Sequence, residues 1–306
     1  MDRVIGKFNG DAKGPLLVII GAMHGNEPAG VRAIELVLKM LDVEYIRNLK
    51  FAFKGNVLGL IGNYKALEQK QRFIDRDMNR CWSPAVIEDT EDNSVVEYKE
   101  IREVHDLIME EVKTGDYSKV IILDMHTTSS DLGIFVIPSS NPESLKIAKE
   151  LHAPVVLGIA NGLKHTSLHY FHNLRTSVPI IPVVFESGQH LDPLSVNRAV
   201  AAIINCMRTT QMVDSEHVDN IHDHLLLRFS RPLPKVVELS YSHGIKCEDK
   251  FVMRPGYKNF DAISEGEWLA NDAKGKVCAP SDGRILMPLY QVQGEDGFFI
   301  VREVQA

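Results

Sequence analysis

His24 and Glu27 stand three positions apart in Gly21-Ala22-Met23-His24-Gly25-Asn26-Glu27, and His126 follows in Asp124-Met125-His126. Imidazole nitrogen and carboxylate oxygen are ligand types for a divalent metal. Two imidazoles with one carboxylate make a frequent catalytic zinc set, with the fourth position left to water. In H-E-x-x-H the glutamate is a base, whereas here Glu27 reads as a ligand. Glu186, in Phe185-Glu186-Ser187-Gly188-Gln189, is then free to be the base. Alone, H-x-x-E arises often by chance, as a loop histidine beside a solvated glutamate.

The run Arg72-Phe73-Ile74-Asp75-Arg76-Asp77-Met78-Asn79-Arg80 is dense in fixed polar groups. Arg72 could reach a developing oxyanion. Asn79 beside Arg80 can hold a carboxylate, because arginine offers a planar fork of donors and asparagine adds an amide N–H. The plainer alternative is a solvated charged loop.

These residues need elements to position them. Leu16–Ile20, Val120–Leu123 and Pro179–Phe185 are short apolar runs that suit strands buried on both faces. His24 and Glu27 follow the first, His126 the second, and Glu186 ends the third. In open α/β sheets, ligands bind outside the carboxyl ends of the strands, so residues far apart in sequence can converge there. Pro28 opens one helix, with Val31, Ile34, Leu38 and Leu41 at helical spacing. A Ser94–Glu97 capping box and Gly115 bound a second helix, and Asp192-Pro193 open a third. Strands alternating with helices argue for an α/β sheet covered on both faces. Past Arg228 the pattern turns to short strands between Gly, Pro, Asp and Asn. This predicts a catalytic domain over 1–228 and a smaller β-rich domain over 229–306, joined near Arg231-Pro232-Leu233-Pro234.

Four segments together resemble the succinylglutamate desuccinylase/aspartoacylase family, relatives of the zinc carboxypeptidases. Residues 21–27 are similar to its zinc-binding start, and Asp77-Met78-Asn79-Arg80 to its D-x-N-R segment with an upstream arginine. Asp124-Met125-His126-Thr127-Thr128-Ser129 resembles the segment of the third zinc ligand. Residues 185–189 resemble that of the catalytic glutamate. The resemblance implies a three-layer α/β/α domain of zinc peptidase type with a mixed twisted sheet. A β domain would follow and narrow the mouth of the site. It further implies one Zn2+ per chain on His24, Glu27 and His126, Arg72 polarising the scissile carbonyl, Asn79 and Arg80 holding a substrate carboxylate, and Glu186 as general base. The implied activity is hydrolysis of the amide of an N-acyl amino acid or a related small amide. Asp124, two residues before His126, is a candidate acceptor behind that ligand.

The match thins between His126 and Glu186. The aspartoacylase branch carries a Tyr and an Arg there, and Tyr170 and Arg175 are the nearest equivalents, at a longer spacing from Glu186. His165, His169 and His172 are expected to face solvent or substrate rather than a second metal. His217, His222 and His224 are expected on a surface helix or linker. Ala279–Ile285 resembles a turn of lipoyl- and biotinyl-carrier barrels, but no lysine-bearing hairpin tip accompanies it.

Lys and Arg number 34 against 41 Asp and Glu, a formal charge of −7. That disfavours non-specific nucleic-acid binding, and an anionic ligand would need local arginines. The longest apolar stretch, Pro15–Met23, falls short of the roughly 20 residues that span a bilayer. No signal-peptide core is evident, and Cys81, Cys206, Cys247 and Cys278 form no C-x-x-C pair. A cytoplasmic location without membrane or nucleic-acid partners is expected, and association into a homo-oligomer stays open. Two other functions also stay open: a zinc carboxypeptidase acting on short peptides, and a zinc-containing binding protein without turnover.

Overall fold

The computed structural model describes residues 2–214 and 223–304. Its strands are β1 (Val4–Asn9), β2 (Ala12–Gly21), β3 (Lys54–Ile61), β4 (Val120–Thr128), β5 (Ile134–Pro138), β6 (Val155–Leu157) and β7 (Ile180–Gln189). They continue with β8 (Val236–Gly244), β9 (Val252–Met253), β10 (Ala262–Ile263), β11 (Trp268–Asp272), β12 (Gly275–Cys278), β13 (Gly283–Leu286) and β14 (Asp296–Glu303).

Along β2, Leu17 and Ile19 point to one side, and Leu16, Val18 and Ile20 to the other; all are fully buried. A strand with this pattern must be covered on both faces. Helices Ala29–Arg47, Pro142–Glu150 and Leu194–Thr209 contribute to one apolar layer. Helices Val96–Thr114 and Ser167–Asn173 contribute to the other, with Trp82. The result is α/β/α layering around a mixed sheet. No helix among the described residues is long and apolar enough to cross a membrane.

The sheet runs β1-β3-β2-β4-β7-β5-β6-β8-β14-β13-β10, eleven strands in one ladder. The neighbours β3, β2, β4 and β7 pair in parallel, so β2, β4 and β7 present their carboxyl ends at one edge. β5 is antiparallel to β7. The boundary expected near Arg231–Pro234 falls just before β8, and β8 pairs in parallel with β6. Hydrogen bonding of the main sheet therefore crosses into the β-rich segment. A second sheet, β12-β11-β9, packs with that segment around Leu269, Ile285 and Phe298.

One expected element is built differently. The Ser94–Glu97 capping box does not form; Val95 is the N-cap and makes no side-chain cap bond. Glu97 is instead fully buried. Its carboxylate accepts the N–H groups of Ile74, Asp75 and Arg76 at 2.7, 3.2 and 3.1 Å. Three otherwise unpaired backbone donors are a stronger demand than one helix terminus. Gly115 does end the helix, and Leu194 N–H bonds Asp192 at the start of helix Leu194–Thr209.

Candidate active site

The turn after β2 brings His24 and Glu27 together, with Glu27 N–H bonded to His24 C=O at 3.1 Å. Gly25 is required in this turn: a Cβ there would meet the Ala66 carbonyl carbon at 2.0 Å. On β4, Asp124 and His126 share a face by the two-residue strand period. On β7, Glu186 is the register partner of His126. Parallel pairing of neighbouring strands thus sets a carboxylate beside the second histidine.

His24 Nδ1 lies 2.9 Å from Glu27 Oε1, and His126 Nδ1 lies 3.3 Å from Glu27 Oε2. Ligating atoms of the three side chains all fall within 4.8 Å of one another, and all three residues are buried. Ligand atoms of a tetrahedral zinc site are separated by about 3.4 Å, so the donor set fits that ion. Both histidines also turn their other nitrogen to a carboxylate. His24 Nε2 is 3.1 Å from Asp77 Oδ1, and His126 Nε2 is 3.2 Å from Asp124 Oδ1. Such outer carboxylates fix ring orientation and tautomer in metal sites. Glu27 Oε2 also accepts the N–H of Thr127 at 2.8 Å. Among the described residues, no other group of His, Cys, Asp or Glu meets this geometry.

The electrostatics follow from burial and charge. Burial pushes the Glu27 carboxyl up, but the charges and hydrogen bonds of His24 and His126 together hold it well below its usual range. For His126, burial disfavours the charged ring, yet Asp124 and then Glu27 raise it well above the usual value. Glu186 moves the other way: burial, only partly offset by His126, pushes it up to about 8. Glu186 Oε2 has no hydrogen-bond partner among the described residues.

Arg72 donates to Asp77 Oδ2 from Nε at 3.1 Å and Nη2 at 2.8 Å, and its Nη1 stands 3.5 Å from Glu27 Oε1. Asn79 and Arg80 sit on a short 3-10 turn, Met78–Arg80, capped by Asp77. Asn79 Oδ1 accepts the N–H of Ser167 at 2.8 Å. Arg80 is ion-paired with Asp296 at the start of β14. One cavity is lined by His24, Glu27, Arg72, Asn79, Arg80, His126 and Glu186. Ile137, Ile159, Leu163, Val184 and Phe299 give it an apolar wall. Convergent polar groups beside an apolar wall suit a small molecule.

Residues 13–209 match the family described as "Succinylglutamate desuccinylase/Aspartoacylase catalytic domain". The chain belongs to this family. The match takes in all four segments noted above, whose candidate residues His24, Glu27, Arg72, Asn79, Arg80, His126 and Glu186 line one cavity. A "Probable aspartoacylase" of Trichodesmium erythraeum is 32% identical over 136 residues, 44% of this chain and 43% of that protein. An "N-acyl-aromatic-L-amino acid amidohydrolase (carboxylate-forming) A" of Danio rerio is 31% identical over 146 residues, 45% of this chain and 42% of that protein. The aligned stretch thus spans less than half the length of these relatives. The fold of the desuccinylase/aspartoacylase family extends through the β-rich segment. A succinylglutamate desuccinylase/aspartoacylase structure from Rhodobacter sphaeroides superposes with a TM-score of 0.64 at 14% identity, over 98% of this chain and 88% of that one. Murine aminoacylase 3 superposes at 0.60 and 17%, over 97% of both.

Two residues suggested by the aspartoacylase branch stand apart from the cavity lining. Tyr170 is buried against Trp82 and Phe171, and Arg175 is exposed beyond helix Ser167–Asn173. His165 is exposed, and His224 lies on helix Asp223–Ser230, while His217 and His222 fall outside the described residues.

Other site residues escaped the sequence reading. Asp77 was visible only as part of its segment. His190 bonds Thr127 Oγ1 at 2.7 Å and Gln291 Oε1 at 3.2 Å, and Gln291 also accepts from Asn26 at 2.9 Å. Gln293 accepts the N–H of Arg72 at 3.2 Å. These glutamines lie in the β13–β14 connection, which contributes Met287, Leu289 and Gln291 to the cavity lining. Nothing in their local sequence marks them, because only the tertiary fold brings that connection there.

Proposed function

We propose that the protein is a zinc-dependent amidohydrolase that deacylates a small N-acyl amide, of the N-acyl amino acid kind or related to it. The observation that carries this reading is the meeting of His24, Glu27, His126 and Glu186 in one cavity. The relatives named for aspartoacylase and N-acyl-aromatic-amino-acid hydrolysis support the reaction class.

His24, Glu27 and His126 would hold the ion. Bound zinc supplies Lewis acidity and a water whose pKa is drawn toward about 7. Glu186 takes the proton of the attacking water and returns it to the departing amine, help worth roughly 10²–10⁴-fold. Its partner-free Oε2 and its place beside His126 suit that shuttle. Arg72 faces the negative charge that develops on the carbonyl oxygen, where one donor contributes about 10²–10³-fold. Asp77 and Asp124 orient the two histidines. The apolar wall excludes water and takes the hydrocarbon part of the substrate. The β13–β14 connection, tied down through Gln291 and Gln293, favours a small amide over an extended peptide.

The reading is tested by amine release from a panel of N-acylated amines and amino acids, using zinc-reconstituted protein with Glu186→Gln as control. Release by the wild type and not by the variant is expected. Equal release by both would overturn the assignment of Glu186.

A further inference from the structure

The β13–β14 connection belongs by sequence to the β-rich segment. It is nevertheless tied to three of the four segments that carry the candidate chemistry, and to the residue that follows the fourth. Leu289 N–H bonds Gly297 C=O at 3.0 Å, which closes the connection on itself. Tyr290 N–H donates to Ser129 Oγ at 3.1 Å, in the segment of His126. Asp296 pairs with Arg80. Gln291 and Gln293 turn toward the protein, while Val292 between them is fully exposed.

Gln291 Oε1 faces two donors, Asn26 Nδ2 at 2.9 Å and His190 Nε2 at 3.2 Å. An amide oxygen only accepts, so His190 Nε2 carries the proton of that bond. Both donors lead to Glu27. Asn26 is its chain neighbour in the turn after β2. His190, which directly follows β7, lies 2.7 Å from Thr127 Oγ1, and Thr127 N–H bonds Glu27 Oε2 at 2.8 Å. One side-chain oxygen thus supports the Glu27 carboxylate by two routes.

Gln293 acts on the main chain of Arg72. Its Oε1 accepts the Arg72 N–H and its Nε2 donates to Phe73 C=O, each at 3.2 Å. The side-chain amide pairs with this stretch much as a neighbouring strand would. Gly25 N–H takes the Arg72 C=O at 3.1 Å, and Asp77 aims the guanidinium. A donor aimed at developing charge acts only while its position is held. A displacement of about 1 Å can cost about 10²-fold in rate.

We propose that the β13–β14 connection is a positioning strap of the active site, in which Gln291 sets the turn of His24 and Glu27, and Gln293 sets Arg72. This rests on the zinc-hydrolase reading and adds two positioning residues to it from the β-rich segment.

The test replaces each glutamine by methionine, which keeps the length and removes both amide groups, and by glutamate, which keeps an acceptor oxygen. Zinc affinity is read by chelator competition, and the reactivity of Arg72 toward phenylglyoxal by peptide mass spectrometry. Turnover is followed on a substrate found in the amine-release panel. Gln291→Met should weaken zinc binding about tenfold, the lower end of what losing an outer partner costs. Gln291→Glu should recover most of that loss. Gln293→Met should leave zinc affinity unchanged and speed Arg72 labelling several-fold. It should also lower kcat about tenfold with little change in KM. Gln293→Glu, which still accepts the Arg72 N–H, should fall between. Equal effects of the two methionine variants on zinc affinity and on labelling would mean a general loosening and overturn the proposal. So would wild-type behaviour of both. Zinc affinity and labelling need no turnover. A wild type that binds zinc but hydrolyses no amide therefore sinks the hydrolase reading alone, while these two readouts still decide the proposal.

Discussion

Asp77 bridges His24 and Arg72: its Oδ1 lies 3.1 Å from His24 Nε2, and its Oδ2 takes Arg72 Nη2 at 2.8 Å. The carboxylate is buried, and burial alone would raise it. Arg72 and His24 outweigh that and keep it well below the usual range. Asp77 therefore stays charged and orients both partners. Asp77→Asn keeps the shape and removes the charge. Zinc affinity should fall about 10–100-fold, the usual effect of losing an outer carboxylate. Chelator competition reads this directly, and unchanged affinity would deny Asp77 its orienting role.

Arg72→Lys tests the oxyanion assignment. Lysine keeps the charge but loses the planar fork that bonds Asp77 twice. kcat should fall about 10²–10³-fold, with KM within a few-fold of wild type. A change confined to KM would make Arg72 a binding residue only.

In the proposed mechanism Glu186 sets the pH behaviour. As a base it works only when deprotonated, so kcat/KM should fall as pH drops through its pKa. That value is raised to about 8 by burial without metal, and a neighbouring cation lowers it. The acid limb of the loaded enzyme should therefore lie below this value and vanish in Glu186→Gln. In the metal-free protein the same group affects stability. A folded pKa raised above the usual 4.5 means that burying Glu186 is unproblematic below that value; the penalty grows through the window up to about 8. In chelator, Glu186→Gln should melt above the wild type, by a margin that widens as pH rises through this window. Parallel melting curves at all pH values would contradict this.

Glu97 supports the Arg72–Arg80 segment from beneath, through the N–H groups of Ile74, Asp75 and Arg76. Glu97→Ala orphans these donors, at about 1–3 kcal/mol for each that water cannot reach. At roughly 2–4 °C per kcal/mol for a domain of this class, the melting temperature should drop by about 10 °C. Glu97→Gln, retaining one acceptor oxygen, should fall between. A thermal melt of the three proteins decides it, and an unchanged midpoint for Glu97→Ala would show the loop to be held otherwise.

β2, β4 and β7 were legible because a run such as Leu16–Ile20 has to be buried on both faces, and His24, His126 and Glu186 stand at or just beyond the ends of such runs; β1 and β3 were not read. β5 and β6 were missed: each is short, and Val155–Leu157 gains its strand character only by pairing with Val136 and with β8. The continuity of the sheet was hidden for the same reason, since a Pro-rich stretch reads as a linker whatever its flanks pair with. Glu97 misled because Ser94-x-x-Glu97 fits a capping box locally, while three distant N–H groups claim the carboxylate. Arg80 was legible as an arginine of the site, but Asp296 lies 216 positions away, so its pairing could not be read from the chain.

In the proposed mechanism His24, Glu27 and His126 hold a zinc ion on which amide hydrolysis depends. The most direct measurement follows amine release from a substrate found in the panel, on one preparation, before chelation, after it, and during titration with zinc. Turnover should be lost on chelation and recover to saturation at one zinc per chain, with no recovery in a His24→Ala, His126→Ala double variant. Undiminished turnover by the metal-free protein would contradict it.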